Sequence, residues 1–252
     1  MSEEDAERVD GTPNCGGTPN RGGGPNRGGR AGDGGRAPPT GGDDPPVVEP
    51  ALEFGSASGD GLSVWGVLLA AGTSSRFGEA NKLLTAVDGE PMVRRAARTL
   101  LRSSVDAVVV VVGHEADRVR AAVDGLDVRI EANPDYAAGQ ATSMRTGVAA
   151  ARAGGADAVV FALGDMPFVD AASIDALVEA FRAGVGDPLA AAYEGRRGNP
   201  VLFGAGFFAD LLDVEGDTGG RDVLVGSETT ALVETGDPGV RRDVDRPGDL
   251  GE

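Results

Sequence analysis

Hydrophobic positions are distributed very unevenly along this chain. Through about Leu62 they are sparse and aperiodic, scattered among Gly, Pro, Asp and Arg in near-repeats such as "CGGTPN", "RGGGPN" and "RGGR". Windows of that kind bury too little apolar surface to offset the entropy of ordering the backbone, which predicts a disordered head over residues 1–62. From Ser63 the pattern changes. "SVWGVLLA" (63–70), "DAVVVVV" (106–112), "DVRIE" (127–131), "DAVVFAL" (157–163) and "TALVET" (230–235) are short apolar, partly β-branched runs that predict strands. Between them lie helical periods. "PMVRRAARTLLRS" (91–103) has Pro in its first turn and sets Val93, Ala96, Ala97 and Leu100 or Leu101 on one face. "EADRVRAAVDG" (115–125) is a short helix, and "QATSMRTGVAAARAG" (140–154) turns Met144, Val148 and Ala151 inward. "DAASIDALVEAFRAG" (170–184) is capped by Asp170 or Ser173 and closed by Gly184. "PLAAAYE" and "PVLFG" read as paired strands about a turn at "GRRGN" (195–199), with "AGFFADLLDV" and "GGRDVLVG" helical beyond them. Strands alternating with helices predict an α/β domain over 63–252, a Rossmann-like, mostly parallel sheet covered on both faces. Ligands of such sheets sit over the carboxyl ends of the strands.

Charge narrows the function classes. Forty acidic residues against twenty-three basic ones leave a net −17, and even the head holds eleven acids to five arginines. A surface of that sign disfavours nucleic acid and anionic membrane as partners. The acid-rich, arginine-for-lysine composition resembles that of proteins from a salt-rich cytoplasm. The single cysteine, Cys15, lies in the head, so neither a disulfide framework nor a thiolate metal site is expected. No apolar run approaches bilayer length and the first residues, "MSEEDAERVD", are acidic, making the cytoplasm the expected location. Lys82 is the only lysine beside twenty-two arginines, and it follows the first strand.

The strand-end loops carry the chemistry. In "AAGTSSRFGEANK", Ala71, Gly72 and Thr73 are small enough for backbone N–H groups to approach an anion, Arg76 can grip two phosphate oxygens, and Lys82 adds a compact charge. Neither G-x-G-x-x-G nor G-K-[ST] is present. In "LGDMP" (163–167), Asp165 stands at a strand tip where a carboxylate can hold Mg2+, an ion that takes few protein carboxylates and completes its shell with water and phosphate. Asp243 and Asp245 alternate in "RRDVDRPGD", so one of them can turn toward Asp165, with a solvated acidic tail as the rival reading. Gly139, Gln140 and Ser143 begin the helix after "NPDYAA" and can reach a base or sugar or serve as plain caps. Arg197 and Asn199 in "GRRGNP", and Arg221 after "EGDTGG" as part of an anion nest, suit an anionic acceptor. His114, the single histidine, reads as the ordinary residue leading into a helix. With no Ser-His-Asp or Cys-His set, the site must work by positioning and charge neutralisation, as in phosphoryl or nucleotidyl transfer.

"LLAAGTSSRFGEANK", "NPDYAAGQATSMRTG", "LGDMP", "GRRGNPVLF", "GDTGGR" and "DVDRPGD" occur in this order. The set resembles the MobA-like nucleotidyltransferases, specifically the molybdenum cofactor cytidylyltransferases, over essentially all of residues 63–250. The resemblance implies a Mg2+-dependent enzyme that joins CTP to molybdopterin, releasing pyrophosphate. Its implied partners are CTP or another NTP, molybdopterin, and maturation factors of molybdenum hydroxylases. It implies nucleotide contacts at Ala71 and Gly72, triphosphate contacts at Arg76 and Lys82, and Mg2+ on Asp165 with Asp245 as second carboxylate. Base and ribose would be placed by residues 139–143, and the acceptor by "GRRGNP". "LAAG" in place of "LAGG" is associated with the cytidylyl branch. Phe77 stands where the family usually has methionine, an apolar exchange, and the head has no family counterpart. A guanylyltransferase for molybdopterin, a sugar-phosphate nucleotidyltransferase and a non-catalytic nucleotide-binding regulator stay open as alternatives.

Overall fold

The computed structural model describes residues 45–49, 61–73, 81–217 and 219–250. Its first strand, β1 (Val47–Val48), comes from within the segment whose composition predicts disorder. It pairs in parallel with a strand near the C-terminus, and the Pro46 carbonyl accepts from Leu232 N at 2.8 Å. A strand at the sheet edge needs one ladder only, so its proline neighbours are tolerated. A composition averaged over sixty residues hides two valines that a sheet edge can use.

The expected alternation follows. After β2 (Val64–Ala70) come a small hairpin, β3 (Ala86–Val87) with β4 (Glu90–Pro91), then α1 (Met92–Arg102), β5 (Ala107–Val112), α2 (Ala116–Ala122) and β6 (Arg129–Ala132). Next are α3 (Gln140–Ala153), β7 (Ala158–Leu163), α4 (Ala171–Arg182), β8 (Leu189–Tyr193) and β9 (Arg196–Gly204). α5 (Phe208–Asp213), α6 (Arg221–Gly226) and β10 (Ala231–Glu234) complete the described elements. The main sheet runs β1-β10-β8-β9-β7-β2-β5-β6, with β9 antiparallel to both its neighbours and the other pairs parallel.

Strand alternation divides the core between two faces. Val64, Leu68 and Ala70 of β2 and Val108, Val110 and Val112 of β5 pack with α1, α2 and α4. Trp65 and Val67, with Val109 and Val111, pack on the other side with α3, α5 and α6. From β2 the chain steps outward to β5 and β6 and then returns past β2 to β7. This reversal opens a crevice at the carboxyl ends of β2 and β7.

One local expectation is corrected and a second is sharpened. The turn between β8 and β9 is Glu194–Gly195, both with positive φ (51° and 69°), and Arg196–Asn199 belong to β9 itself. Gly198 is required there because a Cβ would stand 2.1 Å from the Val240 carbonyl oxygen. Asp170 is the N-cap residue of α4, as expected, but its side chain makes no capping bond, and buried Asp237 braces the helix start instead. Asp237 Oδ2 accepts from Asp170 N at 2.9 Å and Ser173 Oγ at 2.8 Å.

The packing of α3 on β2 yields a stability test. A Cβ on Gly147 would lie 2.3 Å from Val67 Cγ1. On an isolated helix Gly147→Ala gains about 1 kcal/mol of helix propensity. Here the overpacking dominates, with an expected loss of about 1–3 kcal/mol and a lowered thermal midpoint. A midpoint equal to or above that of the wild type would show that α3 can slide on β2.

Candidate active site

β2 and β7 are neighbours with Leu69 opposite Leu163, so the segments leaving them, Ala71–Thr73 and Gly164–Asp165, emerge side by side. Gly164 N donates to the Leu69 carbonyl at 3.0 Å, fixing the second segment to the first. Lys82 comes back toward this point through a short 3-10 turn, Lys82–Leu84. Asn81 Oδ1 accepts from Leu83 N at 3.1 Å, and Leu83 is buried in the core. With the turn anchored on both sides, Lys82 Nζ lies 2.6 Å from Asp165 Oδ2 and 3.1 Å from Asp245 Oδ1. The two carboxylates, eighty residues apart in sequence, thus meet across one ammonium group. Between them in the C-terminal segment, Val244 is buried and Asp243 is exposed, which decides the alternation the sequence left open.

The lysine is 15% exposed. Burial alone lowers its pKa. The charge and hydrogen bond of Asp165, followed by those of Asp245, outweigh that, so the net value is raised above the ordinary lysine range and Nζ stays charged at neutral pH. Among the described residues, no group of three or more His, Cys, Asp or Glu is arranged to hold an ion. The pair Asp165 and Asp245 nevertheless already gathers a positive charge with two hard oxygen donors. That fits Mg2+, which asks for one or two carboxylates and leaves the rest of its shell to water and phosphate.

A cleft of about 440 Å³ opens at this pair. Ala71, Gly72 and Thr73 line it, as do Gly139, Gln140 and Ser143 at the start of α3, with Leu69, Leu83 and Leu163 giving it apolar surface. Gly139 has φ 113°, and a Cβ there would meet the Gly216 carbonyl oxygen at 2.6 Å. Ala141 N donates to that carbonyl at 3.1 Å and Gln140 N to Asp217 Oδ1 at 3.3 Å. Gly216 and Asp217 therefore present acceptors to the start of α3. Ser143 is oriented by buried Asn133, whose Nδ2 donates to Ser143 Oγ at 3.0 Å and Thr142 Oγ1 at 2.7 Å. Arg145, on the same helix, is used structurally, donating to the Val214 carbonyl. His114 N donates to Ala71 O at 3.1 Å, so the histidine's backbone braces the first loop.

Arg197, Asn199 and Arg221 lie on a second cavity of about 260 Å³, which shares Leu69, Gln140 and Leu163 with the cleft. Partial burial, and then the Arg221 charge, lower the pKa of Arg197, so the two guanidiniums act on each other across this space. Arg76 and Phe77 lie outside the described residues. Sequence reasoning missed Tyr136 and Asp217 as lining of the cleft. Asp217 carries a local signal, an acid in a Gly-rich loop, but only the folded chain brings it to the start of α3.

Comparison with known proteins matches residues 66–231 to the MobA-like NTP transferase domain. Nicotine blue oxidoreductase of Paenarthrobacter nicotinovorans is 32% identical over 191 residues, 72% of this chain and 92% of that protein. Purine catabolism protein PucB of Bacillus subtilis is 30% identical over 199 residues, 72% of this chain and 91% of that one. Among solved structures, Rv0371c from Mycobacterium tuberculosis superposes with a TM-score of 0.62 at 26% identity, covering 74% of this chain and 95% of that one. A complex of the same protein with manganese gives a TM-score of 0.60 at 27% identity, with the same coverage.

Proposed function

The chain belongs to the MobA-like NTP transferase family, and we propose that it transfers CMP from CTP to the phosphate of molybdopterin, yielding molybdopterin cytosine dinucleotide and pyrophosphate. Nucleotidyl transfer is the family's chemistry; the choice of CTP and molybdopterin rests on the motif set of this sequence. The observation that carries the reading is the convergence of Lys82, Asp165 and Asp245 beside the Ala71–Thr73 loop.

Gly72 supports it further. Among the described residues, a Cβ on Gly72 would meet nothing within 4 Å, so their packing does not require glycine there. A phosphate drawn close to its backbone N–H does. In the reaction an acceptor phosphate oxygen forms a bond to the α-phosphorus as the bond to the β-phosphate oxygen breaks. Because the nucleophile is already anionic, no general base is needed. Lys82 neutralises charge on the departing pyrophosphate, helped by Arg76, and Ser143 and Gln140 orient the nucleoside. Asp165 and Asp245 would hold Mg2+, which when bound supplies charge neutralisation and orientation of the phosphates. Arg197, Asn199 and Arg221 receive the acceptor from the adjoining cavity. Arg197→Met is accordingly expected to raise the acceptor KM about tenfold or more while leaving the CTP KM unchanged, the loss of one charged hydrogen bond. Steady-state kinetics with each substrate varied separately decide this, and a change in the CTP KM alone would move Arg197 to the nucleotide side.

Turnover with molybdopterin and each of the four nucleoside triphosphates, followed by pyrophosphate release, tests the whole assignment. CTP with Mg2+ is expected to be preferred, and full activity with GTP alongside none with CTP would overturn it. The relative named as an oxidoreductase favours a second reading, in which the cleft holds a nucleotide cofactor for electron transfer. The missing G-x-G-x-x-G weighs against that, and pyrophosphate release from any triphosphate excludes it as the sole activity.

A further inference from the structure

Two carboxylates on segments eighty residues apart can share a cation only if something fixes one segment against the other. The C-terminal segment is clasped to the Asp165 loop at several points. Val244 N donates to the Asp165 carbonyl at 2.9 Å. The Val244 side chain is fully buried against Val87, Met92 and Phe168. The Arg242 guanidinium stacks 4.0 Å from the centre of the Phe168 ring, three residues beyond Asp165. Asp249 closes the far end, where its Oδ2 accepts from Asp245 N at 2.9 Å and Arg246 N at 2.7 Å, while its carbonyl accepts from Arg242 at 3.2 Å. The Asp249 carboxylate thus fixes the peptide that carries the Asp245 side chain.

We infer that Asp249 and Arg242 are positioning residues that set the spacing of the Asp165–Asp245 carboxylate pair and thereby its affinity for a divalent cation. The inference rests on the metal role proposed for that pair, but not on which triphosphate or acceptor is used. Residues that orient ligating groups change metal affinity by about ten- to a hundredfold when removed. Asp249 has no other assigned use, and Arg242 lays its planar charge over the Phe168 ring.

The test is Mn2+ binding to the full chain, read by electron paramagnetic resonance in the presence of CTP and without acceptor. Asp249→Ala is expected to weaken Mn2+ about tenfold, whereas Asp249→Asn, which keeps an acceptor oxygen for the two N–H groups, stays within about threefold of wild type. A purely structural role would move the thermal midpoint with both variants and leave Mn2+ affinity unchanged in the folded protein. Arg242→Met, which keeps the stem against Phe168 and removes the charge, is the second probe should Asp249→Ala fail to fold, and is expected to weaken Mn2+ by at least threefold. Wild-type Mn2+ affinity in the folded Asp249→Ala or Arg242→Met protein would overturn the inference, as would failure of the wild type to bind Mn2+. If Mn2+ binding follows the expected order while CTP and molybdopterin give no turnover, the clasp stands and the substrate assignment falls.

Discussion

Asp165→Asn is expected to lower the rate of pyrophosphate release by about a thousandfold or more, with the fold intact. The substitution keeps the side chain's shape and an oxygen that can accept from Lys82, now 2.6 Å away. It also leaves the backbone bond from Val244 N to the residue 165 carbonyl untouched. What it removes is a negative charge at the strand tip where Asp165 and Asp245 converge on Lys82. Groups that stabilise transition-state charge in a low-dielectric site are each worth about 10²–10³ in rate, and a carboxylate that holds the metal controls the metal's contribution as well. Single-turnover measurements at saturating CTP and several Mg2+ concentrations distinguish loss of metal from loss of chemistry. A rate within tenfold of wild type would mean that Asp165 serves only to anchor Lys82.

Lys82→Met is expected to reduce turnover by about 10²–10³ and, in the absence of nucleotide, to tighten divalent-ion binding. The two effects have one cause. In the free protein Nζ occupies the space between Asp165 and Asp245 as their counter-ion, so a metal ion competes with it. When a triphosphate binds, the same flexible side chain is available to the phosphates. On the proposed mechanism, removing it would free the carboxylates for metal but leave the pyrophosphate charge unneutralised. Lys82→Arg is not expected to restore activity. A planar five-donor fork lacks the compact point charge that fits between two carboxylates. Calorimetry with Mn2+ alone, paired with the turnover assay, reads both effects. Unchanged metal affinity together with unchanged turnover would return Lys82 to a structural salt bridge.

Much of the candidate site was legible because it lies at chain positions where local pattern and chemistry coincide. A continuous apolar run reads as a buried strand, a small-residue loop follows it here, and the one lysine of the chain falls just beyond. The same logic found Asp165 after "DAVVFAL". Gly139, Gln140 and Ser143 were found because a glycine before an apolar-periodic run marks a helix start. Less legible was everything that depends on a distant partner. Asp237 braces the start of α4 from sixty-seven residues away, and Asp217 meets Gln140 across seventy-seven. The "GRRGN" run looked like a turn because Gly and Asn favour turns. Arg196 and Arg197 became strand because the tight Glu194–Gly195 turn sets them opposite Tyr193 and Ala192 of β8.

What the sequence determined by itself is the succession of strands and helices, the sign of the surface charge and the residue types waiting at each strand tip. These follow from side-chain period, β-branching and composition, which act within a dozen residues. What only the tertiary structure decided is adjacency: that β2 lies beside β7, that Asp245 rather than Asp243 turns inward, and that Val47 and Val48 join the far edge. Register and burial fix those choices, and both are properties of contacts between segments that a one-dimensional pattern does not contain.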